Sequence, residues 1–130
     1  MADPTRSVVA VVDDDHRTLE SLADLLEAAG YEVRLYSSAA GLFAHGDLSD
    51  IDCLISDISM PDMNGIELRQ VALVKRPELP VILITGRPEF RSQYSWIIER
   101  DRYFEKPFDG QQLLATIRTV LGNPRPSRDP

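Results

Sequence analysis

Short apolar runs alternating with amphipathic stretches predict an α/β fold built on a parallel sheet. Three observations carry this. Five runs of strand length recur along the chain, at 8–12, 31–36, 53–57, 81–85 and 102–105. Two of them, Val8–Val12 and Val81–Ile84, are apolar throughout, as central strands buried on both faces of a parallel sheet are. The stretches between and after the runs space their apolar residues as helices do, giving five predicted helices. Such alternation implies right-handed crossovers with helices on both faces of the sheet, a doubly wound arrangement. With 130 residues, 43% of them hydrophobic, the chain suits one domain, and it shows no internal repeat.

Residues 1–6 are polar, contain Pro4 and read as a disordered tail ahead of a domain over 7–122. The first strand ends in Asp13-Asp14-Asp15, where Asp15 is placed to cap the next helix. That helix carries Leu19, Leu22, Leu26 and Ala29 inward, and Gly30 closes it as a left-handed cap. In the second strand, Val33 and Leu35 alternate with Glu32 and Arg34, so one face is more exposed. Ser37 or Ser38 caps a short helix with Leu42 and Phe43, and 46–50 reads as a loop.

The third strand climbs from Cys53 to a single carboxylate, Asp57, and stops at the turn residues Pro61, Asp62, Asn64 and Gly65. The third helix, 64–74, turns Ile66, Leu68, Val71 and Ala72 inward. After the proline-bearing connector 76–80, the fourth strand ends in Thr85. A fourth helix is expected over 87–101, weakly amphipathic and aromatic. Arg102–Glu105 forms the fifth strand, Lys106-Pro107-Phe108 follows, and Asp109 with Gln112 makes a capping box. The last helix presents Leu113, Leu114, Ile117, Val120 and Leu121, and 123–130 reads as a disordered tail.

A net charge of −7 argues against direct nucleic-acid binding, which needs a basic stripe. No run is long enough to span a membrane and no leader pattern opens the chain, so a cytoplasmic protein is expected. The one cysteine, Cys53, sits in an apolar run and reads as a small buried hydrophobe. His16 and His45 are isolated and read as surface residues.

Three of the five strands end in a functional group at one edge of the sheet: Asp13 and Asp14, Asp57, and Thr85; Lys106 follows the fifth. In open α/β sheets that edge is where ligands bind. Singly, each is an ordinary turn, cap or solvated residue; together they make a site. Two carboxylates ~5 Å apart repel by ~3 kcal/mol at an effective dielectric of ~20. Asp13, Asp14 and Asp57 therefore call for a cation or a proton. A hard divalent ion with oxygen ligands fits, Mg²⁺ above all where phosphate oxygens complete its shell. Neither thiolates nor paired histidines are available for zinc.

Four motifs now stand in order: Val12-Asp13-Asp14-Asp15, Asp57 with Met60-Pro61-x-Met63-x-Gly65, Thr85-Gly86, and Lys106-Pro107-Phe108. On them the chain, from Val8 to about Leu121, resembles the receiver domains of two-component response regulators. Ser38-Ala39 and Thr85-Gly86 look most like the FixJ-type branch. The resemblance implies a flavodoxin- or CheY-like sheet of strand order 2-1-3-4-5. It implies that Asp57 takes a phosphoryl group from a phosphohistidine of a sensor histidine kinase. Asp14, Asp57 and the Ser59 carbonyl would hold Mg²⁺, with Asp13 binding through water. Lys106 would pair with the carboxylate and then the phosphoryl oxygens, and Thr85 would donate to the phosphoryl group. Tyr103 would be the switch aromatic, altering the face made by the fourth helix, fifth strand and last helix. That face, or the last helix alone, would serve a homodimer or a downstream protein target. Such a protein is a phosphoacceptor switch and not an enzyme in the ordinary sense.

The segment 86–101 departs from the family pattern, with Arg87, Phe90, Tyr94 and Trp96 where an alanine-rich helix is usual and Arg100-Asp101 in place of Gly-Ala. A short, shifted or partly unwound helix is expected there, its aromatics serving a partner surface or the core. Nothing after Leu121 has the pattern of a DNA-binding output domain, which suits a stand-alone receiver or a piece of a longer protein. A pseudo-receiver acting only as an interaction module is the alternative reading, and the complete acidic and basic set weighs against it. An aspartyl phosphatase would want an acid where Ser59 stands. A flavin site would not tolerate Asp13-Asp14-Asp15 beside its phosphate.

Overall fold

The β-branched runs form strands and the amphipathic stretches form helices. The computed structural model describes residues 6–45, 48–87, 89, 93–95 and 102–121. Five strands, β1 (Val8–Val12), β2 (Glu32–Tyr36), β3 (Cys53–Asp57), β4 (Val81–Thr85) and β5 (Arg102–Glu105), pair in the order β2-β1-β3-β4-β5. Every pairing is parallel. The described helices are α1 (His16–Ala28), α2 (Ala39–His45), α3 (Gly65–Lys75) and α4 (Gly110–Leu121).

Strand alternation divides the core in two. Ala10, Val12, Leu54 and Leu83 face Leu42 of α2 and Ile66, Leu68 and Ala72 of α3. Val9, Val11, Ile55, Ile82 and Ile84 face Leu19, Leu22 and Leu26 of α1 and Leu113, Leu114 and Ile117 of α4. The sheet is thus covered on both sides, and β1, β3 and β4 are buried along their whole length. Cys53 lies in this interior, where burial pushes its thiol up to about 12, so it packs as a hydrophobe.

Local chemistry sets the helix ends. Asp15 caps α1 by accepting from Arg17 N at 2.9 Å, and Gly30, at φ +98°, turns the chain out of it. Ser38 caps α2 through Gly41 N. Asn64 and Glu67 form a reciprocal capping box on α3, with bonds of 2.9 and 3.0 Å.

Several local expectations are corrected. Ala29 is exposed at the C-cap of α1. Leu35 is 42% exposed because β2 is an edge strand with one flank open. Residues 48–50, expected as loop, form a 3-10 turn that buries Leu48. Val71 is only half-buried. Asp109 accepts from Gln111 N at 2.8 Å, so the start of α4 is an Asx turn in place of the expected box with Gln112. Most of the expected fourth helix, residues 1–5 and 123–130 of the two tails, Phe90, Trp96 and the His45 side chain lie outside the described residues; Tyr94 is half-buried against the α2–α3 side of the core.

Candidate functional site

The carboxyl ends of β1, β3 and β4 converge because each apolar run stops at the same edge of the sheet. Asp57 is the last residue of β3 and 4% exposed; Asp13, just beyond β1, and Thr85, at the end of β4, are fully buried; Asp14 is exposed. Carboxylate oxygens of Asp13, Asp14 and Asp57 all lie within 4.8 Å of one another. The backbone closes tightly behind Asp57. Gly65 N donates to the Ile58 carbonyl at 3.0 Å, and a Cβ on Gly65 would lie 2.3 Å from the Asp57 carbonyl oxygen. Only glycine lets α3 begin so close to the strand end.

Lys106 enters from the far side of the sheet. Its backbone N–H donates to the Thr85 carbonyl at 2.7 Å, and the following Lys106–Pro107 peptide bond is cis. Its ammonium donates to Asp13 Oδ2 at 3.0 Å and stands 3.7 Å from Asp57 Oδ2. The long side chain thereby reaches past β4 and β3 to the end of β1. Asp13 is held on both oxygens, since Oδ1 accepts from Asp15 N at 2.9 Å. Asp57 receives less: Ser59 N donates to its Oδ1 at a long 3.4 Å.

The electrostatics follow from this geometry. Burial, then the Asp13 charge, push the Asp57 carboxyl up to about 7; Lys106 and the Ser59 N–H oppose them and Asp14 adds to the rise. Burial also works against the charge on Lys106, but its bond to Asp13 and the charges of Asp57 and Asp13 outweigh it and raise its pKa. The Asp57 carboxyl therefore stands beside two further acids, and the Lys106 ammonium offsets only part of their charge.

The donor set fits a hard divalent cation. It is all oxygen, and its three carboxylates are close enough to share one ion. With both oxygens of Asp13 bonded, the less encumbered acceptors are those of Asp14 and Asp57. Mg²⁺ matches such a set better than a metal that wants nitrogen or sulfur.

The predicted residues Asp13, Asp14, Asp57, Thr85 and Lys106 are brought together. Thr85 Oγ1 is engaged on the loop side, accepting from Arg87 N at 3.0 Å. Tyr103 stands apart on β5, its hydroxyl donating to Glu105 Oε2. Two participants were not singled out from the sequence. Ser56 Oγ donates to the Asp57 carbonyl at 3.0 Å, and its signal was a lone hydroxyl inside an apolar run. Glu105 carried no signal beyond a charge next to Lys106.

The family profile of the response regulator receiver domain matches residues 9–118. The chain belongs to that family. Receiver domains are in general signalling switches of two-component systems and not enzymes in the ordinary sense. Among curated proteins, this receiver is 33% identical to the transcriptional regulatory protein FixJ of Azorhizobium caulinodans, over 92% of this chain and 57% of that one. It is also 33% identical to the response regulator protein TmoT of Ectopseudomonas mendocina, over 88% of this chain and 53% of that one. The chain thus spans about half the length of the curated relatives it matches. Among solved structures, a CheY-like receiver from Methanospirillum hungatei superposes with a TM-score of 0.77 at 32% identity, covering 89% of this chain and 94% of that one. The response regulator TrrA of Thermotoga maritima, solved with Mg²⁺ and BeF, gives 0.76 at 28% identity, covering 88% of this chain and 99% of that one. No described helix is long and apolar enough to cross a membrane.

Proposed function

We propose that this receiver takes a phosphoryl group onto Asp57 from a sensor histidine kinase in a Mg²⁺-dependent reaction, and that Thr85 and Tyr103 relay the change to its β5 face. The observation that carries the reading is the placement of Asp57 at the end of β3, within reach of the Asp13 and Asp14 carboxylates and 3.7 Å from the Lys106 ammonium, which also bonds to Asp13.

An Asp57 oxygen forms the bond to phosphorus as the P–N bond of the donor phosphohistidine breaks, and the bonding pair stays with the imidazole nitrogen. The product is an acyl phosphate. Phosphoryl transfer needs positioning and charge neutralisation more than covalent machinery. Asp14, Asp57 and the Ser59 carbonyl would hold Mg²⁺ directly, and Asp13, already bonded on both oxygens, would do so through water. When bound, Mg²⁺ offsets the negative charge of the acids and of the phosphoryl oxygens. Lys106 offsets part of what remains by moving its ammonium from Asp13 toward the phosphoryl group. Thr85 redirects its hydroxyl from the loop to the same group.

The reading implies a cytoplasmic protein, a sensor kinase as donor, and a protein target or second copy on the β5 side, without direct nucleic-acid contact by this domain. Incubation with phosphoramidate, a P–N donor, followed by phosphorus NMR tests the chemistry. An acyl-phosphate signal with Mg²⁺, absent in EDTA and in Asp57→Asn, is expected. If that signal persists in Asp57→Asn, a different residue is the acceptor.

A further inference from the structure

Tyr103 and Glu105 stand two residues apart on one face of β5, and their side chains meet. Tyr103 Oη donates to Glu105 Oε2 at 2.9 Å. Phe104 between them points to the other face, where it packs edge-on against Phe108 with ring centroids 6.3 Å apart. Glu105 is also fastened to the candidate site by its backbone. It is the register partner of Thr85 across β4 and β5, and it immediately precedes Lys106, whose N–H bonds to the Thr85 carbonyl. One side chain thus accepts from Tyr103 while its backbone is set between Thr85 and Lys106.

The Tyr103 ring is half-buried against the α2–α3 side of the core, so its packing leaves room for a choice of orientation. A hydrogen bond to an ionised carboxylate is of the stronger kind and fixes one choice. That bond coexists with a Thr85 hydroxyl committed to Arg87 N. The two bonds belong to one arrangement of the β4–β5 edge.

Resting on the switch reading above, we propose that Glu105 is a positioning residue that holds Tyr103 in this arrangement and so sets the equilibrium against which phosphorylation works. Loss of its carboxylate shifts the ratio of the two Tyr103 populations roughly tenfold toward the alternative, in keeping with the loss of one charge-assisted bond.

Fluorine NMR of the full chain labelled with 3-fluorotyrosine reads this. Tyr103→Phe assigns its signal among the four tyrosines. In EDTA, Glu105→Ala is expected to move the Tyr103 signal toward the position that the unmutated protein reaches with Mg²⁺ and beryllofluoride. Glu105→Gln, which keeps an acceptor without the charge, is expected to move it part of the way. A Tyr103 signal in Glu105→Ala that stays in place, or moves away from that position, overturns the proposal. If Glu105→Ala unfolds and all four signals collapse, Glu105→Gln decides by the same two criteria. The EDTA arm does not depend on phosphorylation. If the unmutated Tyr103 signal does not respond to Mg²⁺ and beryllofluoride, the switch reading is what fails and the proposal is read in EDTA alone: a shift in Glu105→Ala with a smaller one in the same direction in Glu105→Gln keeps Glu105 as the positioning residue, and unchanged signals overturn it.

Discussion

The ammonium of Lys106 donates to Asp13 at 3.0 Å across 93 positions of sequence, and it is nearer to Asp13 than to Asp57. Lys106 is therefore engaged with an acid beside the proposed phosphoacceptor. Replacing it by Met leaves a fully buried carboxylate with one backbone donor and no cation. Such a loss costs ~2–4 kcal/mol, reduced where an acid takes up a proton. Urea unfolding in EDTA at pH 8 should show a loss of that order, and a smaller one at pH 5.5.

The raised pKa of Asp57 sets a pH dependence. Burial and the Asp13 charge hold it at about 7 in the folded protein, above the 3.8 of a free aspartate, so the folded metal-free protein holds this proton more tightly than the unfolded chain. The stabilisation is fully present below ~4 and is lost as pH rises through ~7. Unfolding midpoints in EDTA should fall between pH 5 and pH 8. Asp57→Asn should flatten that slope and be the more stable protein at pH 8, by roughly 1–3 kcal/mol. Saturating Mg²⁺ should remove the slope as well, and calorimetry in two buffers near pH 6.5 should show protons released on binding.

Gly65→Ala meets backbone and not a flexible side chain. Its Cβ would sit 2.3 Å from the Asp57 carbonyl oxygen and 2.8 Å from Ile58 Cα. Either α3 or the end of β3 must shift, at a cost of ~3 kcal/mol or more. Chemical denaturation checks the stability, and a weakened Mg²⁺ affinity would register the displacement of Asp57.

The two caps differ in kind, so their deletions should differ too. Asn64→Ala removes one half of a reciprocal box and should cost ~1 kcal/mol, or a few degrees in Tm. Asp109→Ala removes a single bond to Gln111 N and should cost less than Asn64→Ala. Differential scanning calorimetry of both variants checks the order.

These contrasts mark what the chain discloses before it folds. The strands at 8–12, 53–57 and 81–85 were legible because apolar runs of that length are wholly buried, and their abrupt polar ends located Asp57 and Thr85. The clustering of Asp13, Asp14, Asp57, Thr85 and Lys106 followed from topology, since parallel strands end at one edge. The preference of Lys106 for Asp13 was not legible, because it depends on how far a flexible side chain reaches across β4 and β3. The Tyr103–Glu105 bond needs the strand period together with a rotamer. Leu35 misled because alternation names a face and does not say whether a neighbour covers it.

Thr85 separates reception from response. Thr85→Ala removes the acceptor of the Arg87 N–H and the donor proposed for the phosphoryl group. It should leave phosphorylation of Asp57 within roughly ten- to thirtyfold of the unmutated rate, since one hydrogen bond from a hydroxyl to a charged phosphoryl oxygen is worth ~1.5–2 kcal/mol. The response of Tyr103 to Mg²⁺ and beryllofluoride should be lost. Thr85→Ser, which keeps the hydroxyl, should retain both. Fluorine NMR beside a phosphorylation time course reads the two effects separately.

Everything proposed for this receiver turns on Asp57 as the phosphoacceptor. Intact-mass spectrometry after incubation with acetyl phosphate tests it most directly, with Mg²⁺ or EDTA, on the unmutated chain and on Asp57→Asn. One phosphoryl adduct is expected that requires Mg²⁺, is released by hydroxylamine and is absent from Asp57→Asn. An adduct of equal yield in Asp57→Asn, or one that forms as well in EDTA, would contradict it.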